Sequence, residues 1–400
     1  MAASGEKPYK VYRGGRTKGK VPLSGRGARD ERAAKRTEEE ASSRRDGSGT
    51  GRPVVRRPRR RWSPRRWILL ALVVVLGVFV AWGVAGYLSV RSGVSSANAR
   101  LPQGVTAVLK PQNGLMLSGP SNILLLGTDH ATNGQAGRSS DNHSDSMMLL
   151  RTDPSRHRLI FLSIPRDLRA SIPGYGDSKI NAAMQLGGPK LAVETVAQLT
   201  GLPINHVVIV DFGAFQKLID AVGGIDVNVP ENIISNSFDC PYSPARCQTW
   251  KGWVFHKGVQ HMNGHEALIY SRIRENRLNP ADSDITRALH QQQVMQQTLS
   301  KLASASTFFR LPFGGGSMLD PLATDLSTWQ FVQLAWVKFR AGTTLHCRLG
   351  GRDLGDGYIT GDQENINVIQ MVLGNSAPQP PPPGSGPYGP GCVEGNQQFK

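Results

Sequence analysis

The sequence predicts an α/β fold, a three-layer α/β/α sandwich around a central mixed sheet, preceded by one transmembrane helix. Three observations carry this reading. Trp67–Val90 is a run of 24 residues without a charge. From Ser121 onward, short branched-aliphatic runs alternate with longer helix-like segments, the pattern of strands interleaved with helices. The charge is also segregated: residues 1–66 hold 21 Lys/Arg against 7 Asp/Glu, so +14 of the net +17 lies in that tail. A uniformly basic nucleic-acid-binding protein is thereby excluded, because the remaining chain is close to neutral.

Each element follows in order. Residues 1–66 lack an apolar period and are rich in Arg, Gly and Ser, so they are expected to stay disordered. Trp67–Val90 exceeds the roughly 20 apolar residues that span a bilayer, and Trp67 and Tyr87 suit its two interfaces. The basic run RRPRRRWSPRR before it keeps that end in the cytoplasm by the positive-inside rule. The rival reading is a signal peptide cleaved at Ala97-Asn98-Ala99. It is disfavoured, because signal h-regions run about 7–15 residues behind a short basic segment. Residues 91–118 then read as an extracellular stalk. Strands are expected at Asn122–Thr128, Ser146–Thr152, Arg158–Ile164, His206–Asp211 and Ile225–Val229, each bounded by turn residues. Helices are expected at Ile180–Leu186, Pro189–Thr200, Phe212–Ala221, Asp284 to about Ala303, and Leu326–Arg340. Residues 376–391 read as a Pro/Gly tail that packs against nothing.

All four cysteines, Cys240, Cys247, Cys347 and Cys392, lie beyond the apolar run, in what should be an oxidising compartment. The short loop CPYSPARC favours a Cys240–Cys247 disulfide, which would leave Cys347 to Cys392. Four cysteines permit three connectivities, and spacing alone does not choose among them.

The sequence contains no phosphate-binding P-loop, no G-x-S-x-G elbow and no H-E-x-x-H motif. His256, His261 and His265 lack a completing carboxylate pattern and read better as ordinary loop and helix-end residues than as zinc ligands. A different set stands out. Asp129 follows the first strand at its carboxyl end, where open α/β sheets place ligands. Asp145 precedes the next strand, and two carboxylates at neighbouring strand ends suit a hard cation such as Mg²⁺. Arg166 follows the third strand in SIPRD. Arg272 and Arg274, two apart in an extended YSRIR segment, would point the same way. Asp284, Arg287 and Gln291 share one helix face at i, i+3 and i+7, with Ile285, Ala288, Leu289, Met295, Leu299 and Leu302 as its buried side. Any one such arginine is more often a solvated surface charge. Four of them beside a carboxylate pair make sense together for a polyanion, since guanidinium forks match phosphate oxygens.

At this point the residues resemble a known family. NILLLGTD, SDSMMLL, SIPRD, KINAA, LTGLPINHVVIVDF, DAVGGIDVNV, GHEALIYSRIRE and DITRALHQQQ succeed one another in the order seen in LytR-CpsA-Psr proteins, over about Ser121–Leu302. The resemblance implies a catalytic α/β/α domain over 119–374, with 1–66 as cytoplasmic tail, 67–90 as anchor, 91–118 as stalk and 375–400 as a tail carrying Cys392. It implies a phosphotransferase that moves a glycopolymer phosphate from a polyprenyl-pyrophosphate carrier to peptidoglycan, at the muramic-acid C6 hydroxyl, with Mg²⁺ or Mn²⁺ in its place. Teichoic acid and arabinogalactan are both polymers such a reading allows. Position by position, Asp129 and Asp145 resemble the metal carboxylates. Arg166, Arg272, Arg274 and Arg287 resemble the pyrophosphate ligands, with Asp284 orienting arginine and Gln291 bonding the head group. Asp129 is also a candidate proton acceptor. The chain has His143 and His290 where the family usually has arginine, which puts polymer preference in doubt. Phe212, Phe215 and Leu218 are expected to line a lipid tunnel. Two alternatives stand beside the transferase: a lipid-pyrophosphate phosphatase using water as acceptor, and a membrane-bound regulator. No specific nucleic-acid partner is expected, because the outer part is near neutral and lacks a helix-turn-helix signal.

Overall fold

A computed structural model describes residues 63–128, 144–279, 284–319, 322–353, 355, 357–385 and 388–395; of 144, 145, 284–286 and 288 only the backbone is described. The expectation of disorder for residues 1–66 therefore falls almost wholly outside the described chain. Ile68–Lys400 forms one compact unit.

The elements begin with helix α1 (Pro64–Ala99), strands β1 (Ser121–Thr128), β2 (Ser144–Asp153) and β3 (Arg158–Ile164), and a hairpin of β4 (Arg169–Ile172) and β5 (Gly176–Lys179). Helix α2 (Ala182–Thr200), β6 (His206–Asp211), α3 (Phe212–Ala221), β7 (Ile225–Val229), β8 (Ile233–Ile234), α4 (Pro244–Cys247), β9 (Val254–Phe255), β10 (Gly258–Met262) and α5 (Gly264–Arg272) follow. The chain continues through α6 (Asp284–Leu302), α7 (Ala305–Leu319), β11 (Ala323–Thr324), α8 (Thr328–Arg340), β12 (Thr343–Arg348), β13 (Arg352–Asp353), β14 (Ile359–Thr360), α9 (Gln363–Leu373) and β15 (Gly391–Glu394).

Seven strands form the central sheet in the order β11-β6-β1-β2-β3-β12-β15. Pairs β1–β6 and β3–β12 are parallel and the others antiparallel, so the sheet is mixed as predicted. Alternation along each strand builds two cores. Leu124, Leu126, Met147, Leu149, Ile160 and Leu162 face α2 and α9 in one cluster. Ile123, Met148, Leu150, Leu159 and Phe161 face the opposite side, with Leu334 and Val337 of α8 and Met318 of α7. A third cluster packs α3, α5 and α6 on the β7–β10 pair.

The two helices expected at 180–186 and 189–200 form α2 across a break at Gly187 and Gly188, whose φ of +66° at Gly188 is a left-handed conformation suited to glycine. Two expectations need correction. The stalk is not separate: α1 continues to Ala99, with Val94 and Ala97 buried in the second core, and Val105 and Met116 are buried as well. At about 1.5 Å per residue, a helix of 36 residues is longer than a bilayer core of roughly 30 Å requires, so its last turns are left to pack on the domain. The tail also packs. β15 pairs with β12, opposing Cys392 to Cys347, and the buried Arg348 donates through Nε and Nη2 to Gly389 O. Proline and glycine content hid a short strand whose partner and staple lie some 45 residues earlier.

The disulfides are Cys240–Cys247 and Cys347–Cys392. Closing a loop of separation 45 is worth about 4 kcal/mol by chain entropy, against about 2 for a separation of 7. Paired Cys347→Ala and Cys392→Ala replacement should therefore lower the melting temperature more than the Cys240/Cys247 double variant. Equal melting curves for all three proteins would show that the staple does not hold the tail.

Candidate functional site

The carboxyl ends of the parallel strands β1 and β6 open into a cavity of about 290 Å³. Leu125, Leu126 and Gly127 of β1, Ser146 and Met148 of β2, and Val210 and Asp211 of β6 form its floor. Gly127 permits a close approach there, since a Cβ would lie 3.1 Å from Ser146 Cβ. Helices α3, α5 and α6 supply the walls: Phe212, Phe215, Leu268, Val294 and Met295 are apolar, and Arg272, Arg274, Arg287 and Gln291 are polar. The volume sits at the small end of the roughly 300–1,000 Å³ of small-molecule sites. It fits a charged head group and the start of an apolar chain.

Local sequence fixes these walls. Asp211 ends β6 and caps α3, its Oδ1 accepting the Ala214 N–H at 2.6 Å. Asn263 and Glu266 form a capping box at the start of α5, with reciprocal bonds of 2.9 and 3.0 Å. This helix ends at Arg272, so the two arginines do not share an extended segment as expected. Instead Ile273, extended and buried, returns Arg274 to the cavity after the last helical turn.

Arg272 pairs with Asp239, and its guanidinium carbon stands 4.7 Å from the Phe212 ring centroid and 5.6 Å from that of Phe238. At these distances both rings attract the cation and help to hold the guanidinium at the cavity. Arg287 is buried at 8% exposure in the first turns of α6, and Gln291 one turn on accepts a hydrogen bond from Ser146 Oγ at 3.0 Å. Four predicted residues, Arg272, Arg274, Arg287 and Gln291, thus meet in one cavity.

Arg166 does not join its wall. It leaves β3 at the same sheet edge and pairs with Asp167 at 3.3 Å, while Lys179 Nζ reaches the other oxygen at 2.8 Å. Burial alone would raise the Asp167 carboxyl, but Lys179 and Arg166 outweigh it and hold it below the usual carboxylate range. Asp129 and His143 lie outside the described residues, as do the side chains of Asp145 and Asp284. The register pairs Thr128 with Ser144, so the backbone of Asp145 stands beside the end of β1 that precedes Asp129. Among the described residues, Asp211 is the carboxylate in the cavity wall. Its oxygens and the Ser146 hydroxyl are hard donors, and among the described residues no group of three or more His, Cys, Asp or Glu is placed to hold a metal ion.

One further expectation changes. Leu218 is buried in the second core rather than in the cavity wall, whereas Phe212 and Phe215 do line it. Met295 packs against the second core together with Leu299 and Leu302, as expected of the buried side of α6, and also reaches the cavity wall. His290 is no vacant cation position: it is 1% exposed and its ring stacks on Tyr270 at 4.1 Å. Sequence reasoning missed Asp211, Ser146, Phe238 and Asp239. A strand-terminal Asp four residues before Phe215 was a usable cap signal, but nothing in the sequence pairs Asp239 with Arg272 across 33 positions.

Comparison with known proteins adds an independent line. A sequence model of the LytR_cpsA_psr family matches residues 91–339. A polyisoprenyl-teichoic acid–peptidoglycan teichoic acid transferase, TagV of Bacillus subtilis (strain 168), is 36% identical over 246 residues, or 60% of this chain and 58% of TagV. The regulatory protein MsrR of Staphylococcus aureus (strain Mu50) is 32% identical over 210 residues, 52% of this chain and 57% of MsrR. The chain thus spans somewhat over half the length of these relatives. Among solved structures, TagT bound to LIIa-WTA superposes with a TM-score of 0.55 at 26% identity, covering 69% of this chain and 97% of that one.

Proposed function

Because the chain belongs to the LytR-CpsA-Psr family, we propose that it is a membrane-anchored phosphotransferase that moves a glycopolymer phosphate from a polyprenyl-pyrophosphate carrier onto peptidoglycan. The observation that carries this is the cavity itself, where three arginines and a glutamine rim a wall of Phe212, Phe215, Leu268, Val294 and Met295. A polyanion on an apolar chain matches both halves. The transferase named among the relatives acts on teichoic acid, and a polymer of that phosphate-linked class is the donor assigned here. Positive charge before α1 supports a cytoplasmic N-terminus and a domain on the outer side of the membrane, where peptidoglycan is.

In the transfer, an acceptor sugar hydroxyl, the muramic-acid C6 hydroxyl, attacks the polymer-bearing phosphorus in line. A new P–O bond forms, the bridging P–O bond of the pyrophosphate breaks, and polyprenyl monophosphate leaves. Arg272, Arg274 and Arg287 hold the pyrophosphate oxygens and withdraw charge as the bridging bond lengthens. Gln291, positioned by Ser146, orients a head-group oxygen. Mg²⁺ held by Asp129 and Asp145 would supply further charge neutralisation. Asp284 is assigned to orient Arg287, and Asp129 is the candidate acceptor for the hydroxyl proton.

The test is incubation of the full chain with a synthetic lipid-pyrophosphate glycopolymer and peptidoglycan, followed by mass spectrometry of the digested wall. A phosphodiester-linked muropeptide is expected, and chelation of Mg²⁺ should suppress it. Free phosphorylated glycan in the presence of acceptor would instead establish a phosphatase. No turnover by a folded, membrane-inserted chain would leave the regulator.

A further inference from the structure

The far end of α1 does not emerge alone. α7 runs alongside it in the same direction: Phe308 stacks on Phe79 at 5.5 Å between centroids, and Phe313 meets Trp82 edge-on at 5.4 Å. Farther along, the Gly316 N–H donates to Ser89 Oγ at 3.1 Å. The seam is at backbone contact, since a Cβ on Gly93 would lie 2.3 Å from the Gly316 carbonyl oxygen, and one on Gly315 would lie 2.9 Å from Val90 Cγ2. Small residues that bring backbones together in this way are how helices associate within lipid.

Depth follows from length. About 20 residues cross the hydrocarbon core, and counted from Trp67 they end near Gly86. The seam runs from Phe79 to Gly93, so α7 straddles that boundary instead of lying above it. It exposes Phe309 at 55% and, at the margin of the seam where its edge meets Trp82, Phe313 at 82%. No acidic residue lies in α7, and Arg310, its one charge, is tethered by a 3.1 Å bond to Val222 O. In water these aromatic rings are a liability; on the apolar face of a helix lying at the bilayer surface they bury at the acyl boundary. In the same core layer, α8 buries Leu334 and Val337 and turns Trp329, Trp336 and Phe339 outward.

We propose that α7 is an interfacial helix that seats Phe309 and Phe313 in the lipid leaflet at the C-terminal end of the span. The occupant of its exposed face is membrane lipid. Its inner face, through Leu311 and Met318, belongs to the core that also contains Met148, Val210 and Met295 of the cavity wall. Docking therefore fixes the height of the cavity above the bilayer, so that a lipid-borne head group meets it without leaving its leaflet. This rests on α1 crossing the membrane and not on the transfer chemistry.

The full chain is reconstituted in vesicles of phosphatidylcholine and phosphatidylglycerol, with an environment-sensitive fluorophore on a single introduced thiol. Among the described residues no native cysteine is free, so Phe313→Cys, Val73→Cys on the exposed face of α1 and Val259→Cys on β10 each label at one site. The label at 313 should be quenched by spin-labelled phospholipid as at 73, and should be several-fold less sensitive to aqueous iodide than at 259. Iodide quenching at 313 equal to that at 259 overturns the proposal. So does shielding from both quenchers, which would place a second copy of the chain on this face. If the label at 73 also escapes the lipid quencher, the anchor is wrong and the docking falls with it. Since transfer is not measured, failure of the proposed chemistry would leave this result standing.

Discussion

Arg274→Ala is expected to slow glycopolymer transfer by about 30- to 1,000-fold, the loss of roughly 2–4 kcal/mol that removal of one preorganised charge donor produces. Its side chain is exposed at the cavity rim, so unfolding should be unchanged and the loss should appear in kcat. Arg274→Lys keeps the charge but loses the bidentate fork, and should recover only part of the rate. Combining Arg274→Ala with Arg272→Ala should cost much less than the product of the single losses, because groups that act on one pyrophosphate are non-additive. Arg166→Ala is the informative comparison. Its guanidinium pairs with Asp167 outside the cavity wall, so its loss should multiply independently with that of Arg274. Transfer at the unmutated rate by well-folded Arg274→Ala would remove the pyrophosphate clamp from the mechanism.

The convergence of these residues on one cavity was legible because each sits in a local pattern. Arg287 and Gln291 are one turn apart on a helix, and Arg272 and Arg274 flank a single buried isoleucine. The sheet was legible for a similar reason: Ile123–Leu126, Met147–Leu150 and Leu159–Leu162 alternate between two cores, and that alternation is written in their branched side chains. What stayed hidden depends on partners distant in sequence. β12 has the composition of a loop next to a helix end and becomes a strand along β3, and β15, in a Pro/Gly segment, becomes one along β12 and through Cys347–Cys392. α7 contains Pro312 and three consecutive glycines, residues that oppose a helix in isolation. Two of them, Gly315 and Gly316, are what let it lie against α1. Tertiary contact thus overrides local propensity in the elements where reading by local pattern fails.

His290 gives the largest expected pH effect. Burial pushes its pKa down to about 3, against a weak opposing contact with the Tyr270 backbone, and neither ring nitrogen attains hydrogen-bond geometry. His346, which stacks on Phe161 at 5.5 Å, is lowered to about 4 by burial and then by the charge of Lys338. Both are neutral in the folded chain, whereas their unfolded values lie near 6.5. Below about pH 6.5 the unfolded chain therefore binds protons that the folded chain refuses, and stability falls as pH falls. It is complete above pH 6.5 and continues to drop toward the folded values. Each histidine should contribute up to about 1.4 kcal/mol per pH unit within that window. The depressed carboxyls of Asp153 and Asp167 lose their stabilisation only lower, near and below their unfolded values of about 4. Between pH 6.5 and 4.5 these two histidines therefore titrate where Asp153 and Asp167 do not. His290→Phe keeps the stacking on Tyr270 and removes the titrating group, so urea midpoints of the full chain in detergent should lose about half of their acid slope in this window. His290→Phe with His346→Leu should flatten it. His290→Arg should destabilise the chain at every pH by forcing a guanidinium into a site whose burial disfavours charge. An acid slope that survives intact in the double phenylalanine–leucine variant would show that the buried rings are not what makes the protein acid-labile.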